Sequence, residues 1–321
     1  MKNRLKFDGI EKGGRYCLTY HGWILYTKEE SIRNKNYIDF YRKSCDRRGM
    51  FIELVIVELL DGDERDLVVA SQADAEKGAQ YEGQVCMAQL LKSCRPDFVV
   101  NRTRDYRIAK WLEQQGIPVF NNSLVAELGN DKAKAYRFME QQGRRILPVI
   151  YHVDEPPQDY PVVIKSCSGH GGTEVWMVRS LQEWQQWKRH EYRPDRQYIQ
   201  QQPASEPGKD LRVYVVGNRI VAAVLRESDH DFRSNYSLGG RVSLYELSKE
   251  ERQQAADVCA MFDIGMAGID FLFHKGQLVF NELEDMVGAR MLYALSDFDI
   301  VDAYVAYIKE CLDDGTRCEG T

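Results

Sequence analysis

The segment Gly268-Ile-Asp-Phe-Leu-Phe-His-Lys-Gly-Gln-Leu-Val-Phe-Asn-Glu-Leu-Glu-Asp285 constrains this chain more than any other. Two apolar runs on either side of His274-Lys275-Gly276 predict paired strands around a turn. Asp270, Glu282 and Glu284 are threaded through those runs. Strand side chains alternate between faces, so the loop length decides whether the acids meet. A three-residue loop with Gly276 in the left-handed position pairs Phe273 with Gln277, and puts Asp270, Phe280, Glu282 and Glu284 on one face. A two-residue Lys275-Gly276 loop puts Asp270 on the face opposite Glu282 and Glu284. In the first register the carboxylates lie within diagonal reach, among Leu272, Leu278 and Phe280. Buried acids with no base nearby in sequence need a cation, and all-oxygen ligands favour a hard one such as Mg²⁺ or Mn²⁺. The competing reading is a pair of exposed strands whose acids face water.

A length of 321 residues predicts two or three packed units. The chain is 44% apolar and 29% charged, as soluble globular proteins are. A net charge of -6 leaves no global basic field, which argues against a nucleic-acid partner. No apolar run approaches the length that spans a bilayer, and Met1 to Gly9 lacks the apolar core of a signal peptide. The cysteines (Cys17, Cys45, Cys86, Cys94, Cys167, Cys259, Cys311 and Cys318) include no Cys-x-x-Cys pair. That predicts reduced thiols, with neither a disulfide framework nor a zinc site. The histidines show no ligand spacing either. A soluble, cytoplasmic α/β protein is expected.

Up to about residue 128, strand and helix signals alternate. Gly22-Trp-Ile-Leu-Tyr26, Phe51 to Leu60, Asp97 to Asn101 and Ile117 to Phe120 are strand candidates. A polar, helix-compatible stretch runs from Ser31 to Arg48, and Arg107 to Gln115 carries Ile108, Trp111 and Leu112 at helical spacing. Strands separated by helices predict a parallel sheet. A second unit, 129–199, opens with Asn130 as N-cap of a helix from Asp131 to Gln142 that Gly143 ends. A third unit, 200–321, opens near Tyr198-Ile-Gln-Gln-Gln202 and contains a Leu211 to Leu225 hairpin turning at Gly217-Asn218. A helix from Lys249 to Met261 precedes the acidic hairpin, a last helix spans Val301 to Leu312, and Asp313 to Thr321 is expected to fray.

Gly169, Gly171 and Gly172 let backbone amides approach an anion, with Lys165 at the base of the loop. In Walker and Rossmann sites such a loop opens a helix. Here Thr173-Glu-Val-Trp-Met-Val178 is strand-like, so the loop reads as the tip of a hairpin that folds down as a flap, or as a flexible surface hairpin. Lys132, in the first turn of the Asn130 helix, reads as a solvated helix lysine or a phosphate ligand. Arg212, Arg226, Arg233 and Arg290 recur through the third unit, and guanidinium forks suit carboxylate and phosphate oxygens. Gln200, Gln201 and Gln202 lie at a boundary between units, where a cofactor crevice often forms.

In this order the pieces resemble the ATP-grasp superfamily, and within it the RimK-like ribosomal-protein glutamate ligases. The motifs are Asn130-Asp-Lys132, Pro161-Val-Val-Ile-Lys165, the Gly169 to Gly172 flap, Asp210-Leu-Arg212 and Val221 to Arg226. They continue with Phe232-Arg-Ser-Asn235, Gly239-Gly240, Ala267-Gly-Ile-Asp270 and Glu282-x-Glu284 ending at Gly288. The resemblance covers about residues 97 to 300. It implies a mixed α/β and α+β fold, with an N-terminal Rossmann-like domain followed by two α+β units that clasp ATP. It implies that Lys132 and Lys165 hold phosphates, that Gln201 and Gln202 line the adenine hinge, and that Asp210 lies near the nucleotide. Arg233, Ser234 and Asn235 would line the phosphate and substrate side, Arg290 would join Lys165 and Arg233 in catalysis, and Asp270, Glu282 and Glu284 would hold Mg²⁺ or Mn²⁺. The implied activity is an ATP-dependent carboxylate–amine ligase working through an acylphosphate. An ATP-dependent kinase on the same fold and a non-catalytic nucleotide-binding protein are the alternatives. Gln201 stands where the family usually has an acid, and Glu284 where it usually has Asn. The carboxylate and amine (amino acid, peptide or protein terminus) stay open, and a homo-oligomer is expected by analogy.

Overall fold

Trp23, Ile24, Leu25 and Tyr26 are all fully buried, which marks their strand, β1 (Tyr20–Tyr26), as covered on both faces. The computed structural model describes residues 19–58, 68–71, 85–234 and 239–315. In the first unit β1 is followed by helices α1 (Lys28–Arg33) and α2 (Lys35–Asp46), then strands β2 (Met50–Glu58), β3 (Val68–Ser71) and β4 (Val85–Cys86). Helix α3 (Met87–Ser93), strand β5 (Phe98–Asn101), helix α4 (Tyr106–Gln114), strand β6 (Val119–Phe120) and helix α5 (Ser123–Gly129) complete it. The sheet order is β4-β3-β2-β1-β5-β6. Strands β2, β1, β5 and β6 run parallel, as strand–helix alternation predicts, while β3 and β4 extend the β2 edge antiparallel. Alternation along β1 divides its core. Trp23 and Leu25 pack with Ile108 and Leu112 of α4, and Ile24 and Tyr26 with Ile38 and Tyr41 of α2.

Two antiparallel sheets follow. Helix α6 (Lys132–Gln141) leads into strands β7 (Val149–Ile150), β8 (Val162–Ser166) and β9 (Val175–Val178), helix α7 (Leu181–His190) and strand β10 (Tyr198–Gln201). These strands form a small sheet in the order β7-β10-β8-β9. The sequence puts Tyr198 to Gln201 at the opening of the third unit. In the structure these residues pair with β7 and β8 and so close the small lobe.

The large lobe contains β11 (Lys209–Val216), β12 (Arg219–Glu227), β13 (Arg241–Leu244), helix α8 (Lys249–Cys259), β14 (Met266–His274) and β15 (Gln277–Glu284). Helices α9 (Arg290–Leu295) and α10 (Ile300–Asp314) finish the chain's described part. Its sheet order is β13-β12-β11-β14-β15. Gly217 and Asn218 both take positive φ, 56° and 59°, which makes the two-residue β11–β12 turn the sequence predicts. Tyr214, Tyr304 and Val305 share a core with Tyr26, Phe98 and Phe120, so the large lobe and the first unit are packed together.

Two local expectations need correction. Asn130 is the C-cap of α5, and Asp131 is the N-cap of α6, its side chain accepting from the Lys134 amide. Both residue types cap well, so composition alone does not separate adjacent candidates. Asp313 and Asp314 continue α10 instead of fraying, with Gly315 at φ 65° as its left-handed cap; residues 316–321 lie outside the described part.

Candidate active site

The acidic hairpin closes with the shorter loop. His274 pairs with Gln277, and Lys275 and Gly276 both take positive φ, 52° and 73°. By alternation alone this register would turn Asp270 away from Glu282. A register shift between Asp270 and Phe271 prevents it: Phe271 pairs with Phe280, but Asp270 pairs with Glu282, so Asn281 is the extra residue of a bulge. Asp270 therefore faces Glu282 directly, with Gly268 opposite Glu284. Phe280, expected on the acids' face, instead joins Phe271 and Tyr136 in the core.

The bulge has a second effect. It turns Asn281 toward the small lobe, where its Oδ1 accepts from Lys165 Nζ at 2.8 Å. Lys165, on β8, also donates to the Tyr136 hydroxyl at 3.1 Å. Burial pushes the Lys165 ammonium down to about 7, with Lys132 adding to the effect and Glu282 and Asp210 opposing it. Lys132, the first residue of α6, is also buried. Its Nζ lies 2.9 Å from Glu282 Oε1 and donates to the Gly169 carbonyl at 2.5 Å.

The acids on the other wall are compensated differently. Arg212 makes a two-pronged contact with Asp270, 2.7 Å on each prong, and also touches Glu284. Arg226 joins Asp270 to Asp210, at 2.7 Å to each. The result is a chain of alternating charge, Asp210–Arg226–Asp270–Arg212–Glu284, buried except at its half-exposed Glu284 end. Burial alone would raise the Asp270 carboxyl, but the two guanidiniums outweigh it and hold it below the usual range. For Asp210 and Glu284 burial dominates, and their carboxyls rise despite Arg226 and Arg212.

The glycine-rich tip between β8 and β9 lies over this cleft as the predicted flap. A side chain at Gly169 would crowd the loop, because a Cβ there would stand 2.9 Å from Glu174 Cβ. Arg233 reaches up from the large lobe and donates to the Gly172 carbonyl at 2.9 Å, while Asp231 Oδ2 orients its guanidinium at 2.7 Å. His170 on the flap is pushed down to about 4, first by burial and then by Arg104 and Lys132, so its imidazole is uncharged at neutral pH.

Together these residues border an open cleft of about 800 Å³, part of it continuous with solvent. Lys132, Lys165, Gln201, Gln202, Asp210, Arg226, Arg233, Ser234, Asp270 and Glu282 line it, as sequence reading expected for all but Arg226. Asn281 also lines it. Glu284 and Arg290 do not: Glu284 lies behind Arg212, and Arg290 is exposed at the start of α9. Asn235 lies outside the described residues. Sequence reading missed Asn281 and Tyr136 as partners of Lys165, because only the bulge and the α6 packing bring them there. The donor chemistry fits a hard divalent cation. Asp270 and Glu282 face each other with oxygen donors, and Glu284 stands across from Gly268 with Arg212 against its Oε2.

An antiparallel small lobe and an antiparallel large lobe meet across this cleft under a glycine flap, with lysines on one wall and acids on the other. That arrangement defines the ATP-grasp class. The chain belongs to the RimK-like ATP-grasp family, whose domain model matches residues 106–308. A probable alpha-L-glutamate ligase of Haemophilus ducreyi is 25% identical over 298 residues, covering 83% of this chain and 92% of that protein. Beta-citrylglutamate synthase B of Danio rerio is 31% identical over 240 residues, covering 70% of this chain and 58% of that protein. D-alanine–D-alanine ligase of Bacillus anthracis, solved with ATP, shares the fold with a TM-score of 0.64 at 14% identity, covering 94% of this chain and all of that one (100%). The chain is an ATP-dependent ligase of the amide-bond-forming class. No helix among the described residues is long and apolar enough to cross a membrane.

Proposed function

We propose that this enzyme joins the carboxylate of one amino acid to the amine of a second amino acid, a peptide or a protein terminus, through an acylphosphate. The observation that carries the reading is the convergence of Lys132 and Lys165 from one lobe with Asp270 and Glu282 from the other under a single flap. The named ligase relatives support the amino-acid character of the substrates.

In this reading Lys132 and Lys165 hold the phosphates of ATP, and Gln201 and Gln202 border the adenine. Asp210, through Arg226, fixes the floor beside them. The substrate carboxylate attacks the γ-phosphoryl group, giving the acylphosphate and ADP, and the amine then displaces phosphate. Such a transfer needs charge stabilisation more than a covalent nucleophile. Lys165 and Arg233 supply it, Arg233 through the same fork that holds the flap down. Ser234 extends that wall, Asn235 is assigned to the same phosphate and substrate side by the family resemblance, and Arg290, exposed at the start of α9, is kept as a catalytic candidate. The closed flap excludes water, which would hydrolyse the acylphosphate. Asp270, Glu282 and Glu284 would hold Mg²⁺ or Mn²⁺, which when bound offsets phosphate charge.

The first unit serves in this scheme as the substrate-selecting domain, the small lobe, which includes Gln200 and Gln201 of β10, as the ATP lid, and the large lobe as the catalytic platform. The cytoplasm, where ATP is supplied, is the proposed location, and a homo-oligomer the proposed assembly. An ADP-release screen over paired amino acids and peptides, with mass spectrometry of the product, tests the reading. An amide product without phosphorus is expected, whereas a phosphorylated product would instead make the protein a kinase.

A further inference from the structure

Far from the cleft, the structure brings together three side chains that sequence spacing keeps apart. His21 lies at the amino end of β1, Glu53 on the neighbouring strand β2, and Cys94 caps the end of α3 just before β5. Cys94 Sγ is 3.7 Å from His21 Nδ1, and Glu53 Oε2 is 3.5 Å from His21 Nε2. One ligand atom from each of the three lies within 4.8 Å of the others. Tetrahedral zinc with sulfur and nitrogen ligands separates its ligand atoms by roughly 3.3–3.6 Å, and it binds one ring nitrogen only, so Cys94 and Glu53, which now contact different nitrogens of His21, would converge on one of them by side-chain rotation.

The backbone around His21 is firmly placed. Its amide donates to Asp97 Oδ2 at 2.7 Å, its carbonyl accepts from the Asp97 amide at 2.7 Å, and its ring stacks on Phe51. Cys94 is exposed, and His21 and Glu53 are each 27% exposed at the side chain, so the group opens to solvent and leaves room for a water as fourth ligand.

We propose that His21, Glu53 and Cys94 form a Zn²⁺ site, distinct from the hard-cation donors of the cleft. A sulfur, a nitrogen and an oxygen donor suit zinc and disfavour Mg²⁺. Binding displaces the thiol proton of Cys94 to solvent and forms a thiolate–metal bond, with no redox step. The site ties β2, β1 and the α3–β5 connection at one end of the parallel sheet. The other end of β5 leads into Arg102, which donates toward the Met286 carbonyl of the large lobe at 3.4 Å. The metal therefore clips the first unit without touching the ligase chemistry.

The test uses the full-length protein stripped of metal and titrated first with Co²⁺ and then with Zn²⁺. A thiolate-to-cobalt charge-transfer band should appear and disappear as zinc displaces cobalt. It should be lost in Cys94→Ser and His21→Ala and weakened in Glu53→Gln, with amine-dependent ADP release unchanged in all three. No band in the wild type, a band that survives Cys94→Ser, or one that survives His21→Ala would overturn the site. A second measurement needs no variant. Zn²⁺, but not Mg²⁺, should protect Cys94 from iodoacetamide in peptide mapping, and equal labelling with and without zinc contradicts the proposal.

Discussion

The two walls of the cleft are both charged and both buried, yet they solve the cost of burial in different ways. The lysine wall keeps Lys165 hydrogen-bonded to neutral partners, Asn281 and Tyr136, and burial pushes its ammonium down to about 7. The acid wall pairs Asp270 with Arg212 and Arg226, so Asp270 stays ionised, while Glu282 is matched across the cleft by Lys132. An unpaired buried charge is expensive, whereas a well-bonded pair is close to neutral. Lys165 is thus left wanting an anion, whereas Asp270 is already matched by two arginines. Phosphate binding should be felt mainly at the first, and folding stability mainly at the second.

The sharpest way to break this comparison is to remove one acid from each part of the large-lobe wall. Asp270→Ala and Glu282→Ala should both lower kcat/KM for amine-dependent ADP release by roughly 10²-fold or more. Asp270→Ala should also destabilise more strongly, by about 3–5 kcal/mol in urea unfolding, because it removes the carboxylate that Arg212 and Arg226 share and leaves each with a single acid partner, Glu284 or Asp210. Equal stability loss in the two variants contradicts the division between walls.

Lys165→Met comes next, with a loss of about 10²-fold in the same assay. Its stability should move the opposite way, and with a definite pH dependence. The folded-state value for Lys165 lies below the unfolded one, so the wild type suffers the full cost of burying the charge below pH 7 and loses that cost as pH rises above about 7. The advantage of Lys165→Met over wild type should therefore be largest near pH 6 and shrink toward pH 10. Thermal melts at several pH values check the trend, and a flat difference refutes it.

Arg233→Ala removes the fork that holds Gly172 and should cost about tenfold in kcat, the equivalent of one charge-assisted hydrogen bond. It should also raise ADP release without amine, because a loosened flap admits water; burst experiments with and without acceptor measure the ratio. The smallest change is expected from a double replacement. Arg226→Met combined with Asp210→Asn should cost less stability than Arg226→Met alone, since neither partner is left charged and alone.

Much of this architecture was legible in the residues. β1 announced itself because Trp23 to Tyr26 are apolar without interruption, as a strand buried on both faces must be. The flap followed from strand-like residues on both sides of its glycines. The acidic hairpin was legible in its strands but not in its register. The two-residue turn at Lys275-Gly276 and the bulge at Asn281 each reverse the facing of Asp270, and together they cancel. Nothing local marks Asn281 as a bulge; it is selected by what it reaches, Lys165, across more than a hundred residues of chain. Arg212 and Arg226 could be suspected as functional, but only β11 lying between β12 and β14 shows that they neutralise Asp270.

The central claim is that both walls act on one ATP to make an amide. The most direct measurement is ADP release from wild type, Lys165→Met and Glu282→Gln across a panel of paired carboxylates and amines, with the products weighed by mass spectrometry. The account predicts amine-dependent release by wild type alone, with a product heavier by one amide linkage and free of phosphorus. Release of equal size from all three proteins, or a phosphorylated product, contradicts it.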